Sequence, residues 1–207
     1  MAYRVVHDYY RKELFDFFSP YVSPFWAVNF ELEVTAALAA LRQRQYPTYL
    51  NLCYLVTRAA QGIDDLRYRL KDGQIVLHDT LHFGATLPAP GGRFRFHYLD
   101  FDPDIEAFNR VAAERTARPA PEGLGLKVDR ERAWLFFSAL PKIAFTGLTH
   151  AWRDPDDDEP RVSVGRFVER DGGTRLPVGV QVNHRLVDGD AVGELAERAA
   201  AELAGLR

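Results

Sequence analysis

The chain has 207 residues, of which 47% are hydrophobic and 13% aromatic, and its formal net charge at pH 7 is −3. This length and composition suit one globular domain over residues 1–207 and argue against a disordered protein. The charge gives no reason to expect a nucleic-acid partner, and no apolar run approaches the roughly 20 residues of a membrane span. A single cysteine, Cys53, excludes an intrachain disulfide and leaves too few thiolates for a structural zinc site. We therefore expect a soluble cytoplasmic protein.

The first 65 residues show mainly helical patterns. Apolar residues at helical spacing predict a helix over 8–18, which Pro20 ends. Alternation predicts a strand over 25–34, after which Thr35 is expected to cap a short alanine-rich helix. Pro47 then opens a helix that is apolar nearly all round, so we expect it to lie at the centre of the domain.

The rest of the chain is richer in strand patterns. Asp72 and Gly73 supply the turn of a hairpin predicted over 66–79. The further predicted elements are two strands around a Pro/Gly loop at 88–92, a helix over 102–118, a loop at 119–131, strands near 133–139, 161–169 and 174–184, and a last helix over about 190–204. This mixed order suits an α+β or α/β sandwich with a mixed sheet.

The last predicted strand ends in a histidine. Leu176, Val178, Val180 and Val182 share one face of an alternating strand, and His184 continues that apolar row where the strand ends. An imidazole that is partly shielded yet close to a loop suits proton transfer at neutral pH. The alternative is a histidine at the edge of the core that only bonds to backbone.

An Asp-Gly pair comes soon after this histidine. Gly189 permits a tight turn, and Asp188 or Asp190 can cap the last helix. If Asp188 has a deeper structural role it needs a buried cation, and arginine is the usual partner. Arg11 is a candidate, because its neighbours in the first helix are expected to face the core. These neighbours are Tyr10, Leu14 and Phe15.

Other polar and aromatic features favour ordinary structural roles. The acidic run 154–159 lacks the glycine and the distal glutamate of a calcium loop, so we interpret it as a solvated loop. The pair Phe17–Phe18 is more typical of a core than of a ligand contact. No metal site is expected.

Several segments together resemble the chloramphenicol acetyltransferase family. "QVNHRLVDG" is similar to that family's strand ending in His-His-x-x-x-Asp-Gly before the last helix. The other similar segments, in the same order as in the family, are "YYRKELFDFF", "FELEVTAAL", "YPTYLNLCYLVTRAAQ", "LRYRLKDGQIVLHDTLHFGATL", "FFSALPKIAFTGL" and "VSVGRF". The resemblance implies an α+β two-layer sandwich in which helices pack on one face of a mixed sheet.

The resemblance also implies an activity and a mechanism. The family forms homotrimers in which acetyl-CoA, as co-substrate, and a small hydroxylated acceptor meet between subunits. His184 would be the general base that takes the acceptor's proton, and the acceptor would attack the thioester without an acyl-enzyme. Asp188 would be a structural carboxylate paired with Arg11.

The resemblance also implies roles for further positions in binding the acceptor and the coenzyme. Phe25, Trp26, Thr86 and Phe94 fall where the family lines its acceptor pocket. Ser163 replaces a threonine associated with an ordered water near the oxyanion. Arg166 replaces a lysine positioned for the 3′-phosphate of the coenzyme, a role that a guanidinium can fill.

Three further positions depart from the family pattern. Asn183 replaces the first histidine of the pair, and Lys142 replaces a tryptophan. Gly147 replaces the serine that donates to the oxyanion, a change that commonly costs about 10²–10³ in rate. Candidate replacements are the hydroxyls of Thr146 and Thr149, the Gly147 N–H and Ser163. Thr146 would point away from the position of residue 147 if this segment were a regular strand.

Two other functions compete with the acetyltransferase interpretation. One is the catalytic core of a dihydrolipoamide acyltransferase, which shares the fold and a His-Arg-x-x-Asp-Gly ending, although the lipoyl and linker segments of those chains are missing here. The other is a small-molecule binder that has lost turnover, which Gly147 would favour.

Overall fold

The elements of the fold are known from a computed structural model that describes residues 3–117, 129 and 131–206. Within these residues the chain forms ten strands and five α-helices. In chain order they are β1 (Tyr3–Val5), α1 (Lys12–Phe18), β2 (Phe25–Glu33), α2 (Thr35–Gln43), α3 (Thr48–Ala60), β3 (Tyr68–Lys71), β4 (Gln74–His78), β5 (Leu81–Ala89), β6 (Arg93–Leu99), α4 (Ile105–Ala117), β7 (Ala133–Ala139), β8 (Arg161–Val164), β9 (Val168–Arg170), β10 (Gly173–Asn183) and α5 (Gly189–Gly205). The predicted loop at 119–131 lies largely outside the described residues.

The main sheet is mixed. Its strand order is β2-β10-β8-β7-β5-β6, with β9 also pairing with β10. The pairs β5–β7 and β7–β8 are parallel, and the other neighbours are antiparallel. β10 is the longest strand and pairs with β2 over nine residues, from Arg175 opposite Glu33 to Asn183 opposite Phe25. A smaller sheet has the order β1-β4-β3.

The helices cover one face of the main sheet. Leu176, Val178, Val180 and Val182 of β10 are all buried in one core, which they share with apolar side chains of α2, α3 and α5. α3 is the central helix that its all-round apolar pattern predicts, and Cys53 is buried in it. The two-layer α+β sandwich with a mixed sheet is thus confirmed.

The segment 140–160 covers the opposite face of β8 and β10. A Cβ placed on Gly165 would lie 2.8 Å from the backbone oxygen of Ile143 and 3.2 Å from the Phe145 ring. At Gly179 the Phe145 ring would lie 3.3 Å from such a Cβ. Because these two residues are glycines without a Cβ, the segment can lie directly on the sheet.

The hairpin β3–β4 has the turn that its sequence predicts. Lys71 pairs with Gln74, and the two residues between them have positive φ angles of 51° at Asp72 and 75° at Gly73. Two positive φ angles define a type I′ turn, whose twist matches that of the strands. The Asp-Gly prediction is confirmed.

Two local predictions are wrong. Thr35 does not cap α2, since it is the first helical residue; its own backbone N–H donates to Glu33 Oε1 at 3.0 Å. α1 begins at Lys12 rather than residue 8 and buries none of its residues. Tyr10 and Leu14 were expected to face the core but are 69% and 44% exposed.

Candidate active site

His184 lies one residue beyond β10, in the turn that leads to α5. Its backbone N–H donates to the oxygen of Pro24 at 2.7 Å, and its Nδ1 lies 3.1 Å from the oxygen of Val187. A carbonyl oxygen can only accept, so this contact places a proton on Nδ1. In the neutral ring Nε2 then carries the lone pair. The local fold thus presents a half-buried imidazole with its basic nitrogen free of the Val187 contact.

Two aromatic rings hold the imidazole. Phe18 stacks on His184 with 4.2 Å between ring centroids and 17° between ring planes. Trp26 lies 5.4 Å from it and donates its indole N–H to the same Val187 oxygen at 3.1 Å. The prediction that Phe17 and Phe18 are core residues is therefore wrong, since Phe18 packs on His184 and Phe17 is 57% exposed.

Arg11 connects the N-terminal segment to the start of α5. Its guanidinium is buried, and Nη2 lies 3.4 Å from Asp188 Oδ2. The other oxygen of Asp188 accepts from the backbone N–H groups of Asp190 and Ala191, at 3.1 and 3.3 Å. Asp188 therefore caps α5 with one oxygen and faces a buried cation with the other.

The predicted acceptor-pocket residues lie in two places. Trp26 and Phe25 are on β2, where Phe25 stacks on Trp152 at 5.2 Å. Thr86 on β5 and Phe94 on β6 lie towards the opposite edge of the sheet. The order of strands puts β5 four strand spacings from β2, or about 19 Å. A single chain therefore does not bring Thr86 and Phe94 to His184.

The oxyanion candidates Thr146 and Gly147 lie in irregular backbone, because the described structure has no strand between β7 and β8. The expectation based on strand alternation therefore does not apply to Thr146. Both residues are exposed. A Cβ at Gly147 would meet nothing within 4 Å, and its φ lies outside the left-handed range. Thr149, the other candidate hydroxyl, is also exposed.

Ser163 takes part in a polar pair that the sequence did not indicate. Its fully buried hydroxyl lies 2.8 Å from Nε2 of His150. Gln181 of β10 accepts from the His150 backbone N–H at 2.7 Å and donates to its carbonyl at 3.3 Å. Burial lowers the pKa of His150, so the ring is neutral at neutral pH. Histidine spacing along the chain carries no sign of this contact.

Arg166, the predicted phosphate-binding residue, comes two residues after β8. Its backbone N–H donates to the oxygen of Ile143 at 2.8 Å, and the residue is exposed. The guanidinium is therefore accessible from solvent.

The acidic run 154–159 is only partly the solvated loop that its composition predicts, because the Asp156 side chain is 77% exposed whereas those of Asp157 and Asp158 are 9% and 12% exposed. Asp156 pairs with the buried Arg185 at 2.9 Å, and Asp158 accepts from the backbone N–H of Leu70 and faces the buried Arg69. Burial raises the pKa of Asp158 and of Glu159. The buried arginines, which lie far away in sequence, turn this run into a structural element.

Neither a metal centre nor a membrane span is found among the described residues. In residues 3–117, 129 and 131–206, no three His, Cys, Asp or Glu side chains gather closely enough to hold a metal ion. None of the helices described is both long and apolar enough to cross a membrane.

Comparison with known proteins gives one consistent family. The family model described as Chloramphenicol acetyltransferase matches residues 1–199. The chain is 29% identical to a chloramphenicol acetyltransferase of Streptomyces acrimycini, over 86% of this chain and 83% of the relative.

Solved structures show the same fold. One named chloramphenicol acetyltransferase superposes with a TM-score of 0.90 at 23% identity, covering 97% of this chain and 99% of its own. A probable dihydrolipoamide acetyltransferase from Listeria monocytogenes 4b F2365 gives a TM-score of 0.64 at 11% identity, with 98% and 94% covered. From the family match over nearly the whole sequence, we conclude that the chain is an acyltransferase of the chloramphenicol acetyltransferase family.

Proposed function

We propose that this acyltransferase moves the acetyl group of acetyl-CoA to a hydroxyl of a small acceptor, chloramphenicol or a related alcohol, with His184 as the general base. The observation that carries the proposal is the contact between His184 Nδ1 and the Val187 oxygen, which leaves Nε2 as the basic nitrogen. A base of this kind is worth about 10²–10⁴ in rate.

The reaction proceeds directly from this tautomer. Nε2 takes the proton of the acceptor hydroxyl while the acceptor oxygen attacks the thioester carbonyl. The tetrahedral intermediate collapses by breaking the C–S bond, and the imidazolium returns the proton to the departing thiolate of CoA. Asp188 takes no part in proton transfer in this scheme, because its two oxygens face the α5 amides and Arg11. Phe18 and Trp26 keep the ring in place.

The distances within one chain support a site shared between subunits. Ser163 pairs with Gly179, four residues before the end of β10, so it lies about 13 Å along the sheet from the strand end that carries His184. Groups so far apart cannot contact the same acetyl carbon. In the homotrimer that we propose, Ser163, Gly147, Thr86 and Phe94 of one subunit face His184 of the next.

A second observation supports this assembly. Large apolar side chains are exposed in and around α1, and such side chains suit burial against another copy. They are Tyr10, Leu14, Phe17, Tyr21 and Val22. Of these, Phe17 and Tyr21 contact the Phe18 ring, which stacks on His184.

The test is the release of free thiol from acetyl-CoA in the presence of chloramphenicol and a panel of other alcohols. We expect acceptor-dependent release by the native protein and loss of it in His184→Ala. His7→Ala, which changes an exposed histidine outside the site, is the matched control. Release that does not depend on His184, or none with any hydroxyl acceptor, would overturn the proposal.

Dihydrolipoamide belongs in the same panel as the thiol acceptor of the competing function. The fold supports this alternative less well, since the TM-score falls from 0.90 to 0.64. Preference for dihydrolipoamide over every alcohol would favour it.

A further inference from the structure

Arg11 has a second carboxylate partner besides Asp188. Its Nη1 lies 3.5 Å from Oδ2 of Asp65, which belongs to the short 3₁₀ turn Asp64–Leu66. The side chains of Arg11 and Asp65 are 4% and 9% exposed, so this pair is shielded from solvent. The guanidinium therefore lies between two carboxylates, with Nη1 nearest Asp65 and Nη2 nearest Asp188.

Asp65 is itself held by a neighbour of Arg11. The hydroxyl of Tyr10 lies 2.7 and 2.8 Å from the two oxygens of Asp65 and donates to this carboxylate. Burial raises the pKa of Asp65, whereas Tyr10 and Arg11 act in the opposite direction. The negative charge of Asp65 thus depends on both residues.

The position of Arg11 matters because its other partner, Asp188, adjoins the support of the base. Asp188 comes directly after Val187, whose carbonyl oxygen accepts a hydrogen bond from His184 Nδ1. A shift of Arg11 would move the Asp188 side chain at the start of α5 and with it the adjacent carbonyl. Small displacements of a base commonly cost much of its rate advantage.

We propose that Asp65, supported by the Tyr10 hydroxyl, is a positioning residue for His184 that acts through Arg11 and Asp188. The inference rests on the proposed function, since it assigns Asp65 to the same site. Asp65 contacts neither substrate nor imidazole in this role; it fixes the second side of the guanidinium.

The central experiment compares Asp65→Asn with Asp64→Asn. Asp64 lies in the same turn but is half exposed and pairs with Arg67. Asp64→Asn therefore removes the same charge without changing the contacts between Asp65, Arg11 and Asp188. We expect Asp65→Asn to lower kcat by about tenfold with KM for acetyl-CoA unchanged. Asp64→Asn should retain the native kcat.

Two further variants separate positioning from folding. Tyr10→Phe removes only the hydroxyl of an exposed side chain, and we expect a smaller fall in kcat than in Asp65→Asn. In an Arg11→Gln background, Asp65→Asn should lower kcat no further, because Asp65 can then no longer act on Asp188 through the guanidinium. A full additional loss in that background would overturn the inference.

A measurement without turnover keeps this inference separate from the proposed function. In ¹⁵N spectra we expect His184 of the native protein to show an Nδ1-bound proton that Asp65→Asn weakens and Asp64→Asn leaves intact. An unchanged signal in Asp65→Asn together with native kcat would refute the role of Asp65. An inactive native protein whose signal still responds to Asp65 would refute only the proposed reaction.

Discussion

Restoring a hydroxyl at position 147 should speed the reaction. The family resemblance implies that Gly147 replaces the serine that donates to the oxyanion, and a Cβ at Gly147 meets no atom of the chain within 4 Å. Its φ is outside the left-handed range, so Gly147→Ser introduces neither a clash within its own chain nor backbone strain. One oxyanion donor is commonly worth about 2.7–4 kcal/mol of transition-state stabilisation. We therefore expect kcat for chloramphenicol acetylation to rise by up to about 10²–10³.

Gly147→Ala is the control for this change, because it adds the same Cβ without the hydroxyl. Both variants should be as stable as the native protein or more so by about 0.4–1 kcal/mol, since they restrict the unfolded chain. The assay is thiol release from acetyl-CoA at saturating acceptor, with thermal unfolding measured in parallel. Equal kcat for the serine and alanine variants would refute the reasoning and indicate that another donor already serves the oxyanion.

Three other outcomes can be measured on the same preparations. Phe18→Leu should lower kcat while preserving the fold, because it removes the ring that stacks on His184 but keeps apolar bulk; an unchanged kcat would contradict this. Burial lowers the pKa of His78 from 6.5 to about 4, so the unfolded chain binds more protons between those values and the free energy of unfolding decreases as the pH is lowered through that window. The difference in the free energy of unfolding between pH 5 and pH 7, measured with urea, should be smaller in His78→Gln than in the native protein. Gly165→Ala should destabilise the fold by about 1–3 kcal/mol, because the new Cβ would lie too close to the Ile143 oxygen. Gly193→Ala, at an exposed position in α5, should stabilise the fold by about 1 kcal/mol. Thermal unfolding measures both changes.

Local sequence patterns predicted the parts of the molecule that local physics determines. The alternation of valines defines β10, and the Asp-Gly pairs define the hairpin turn and the start of α5. His184 and Asp188 are candidates because they adjoin these patterns. Arg11 is suggested by the expected burial of its neighbours, which is wrong for Tyr10 and Leu14, and the family resemblance implies the same partner and the roles of all three residues.

The missed residues depend on contacts between distant segments. Phe18 meets His184 only after α1 and β10 come together, and His150 meets Ser163 only because the segment 140–160 crosses the sheet. The acidic run was expected to be solvated because Arg69 and Arg185 lie far from it in sequence. Side-chain pairing over such separations leaves no periodic signal.

The separation of Ser163 from His184 along the sheet has a genetic consequence. When the base and the oxyanion side come from different copies, two defective chains can repair each other. Co-folding His184→Ala with a variant damaged only at Ser163 should regenerate intact sites, at about a quarter of all sites for random mixing in a cyclic trimer. Complementation tests between two such alleles would then show more acetylation than either allele gives alone.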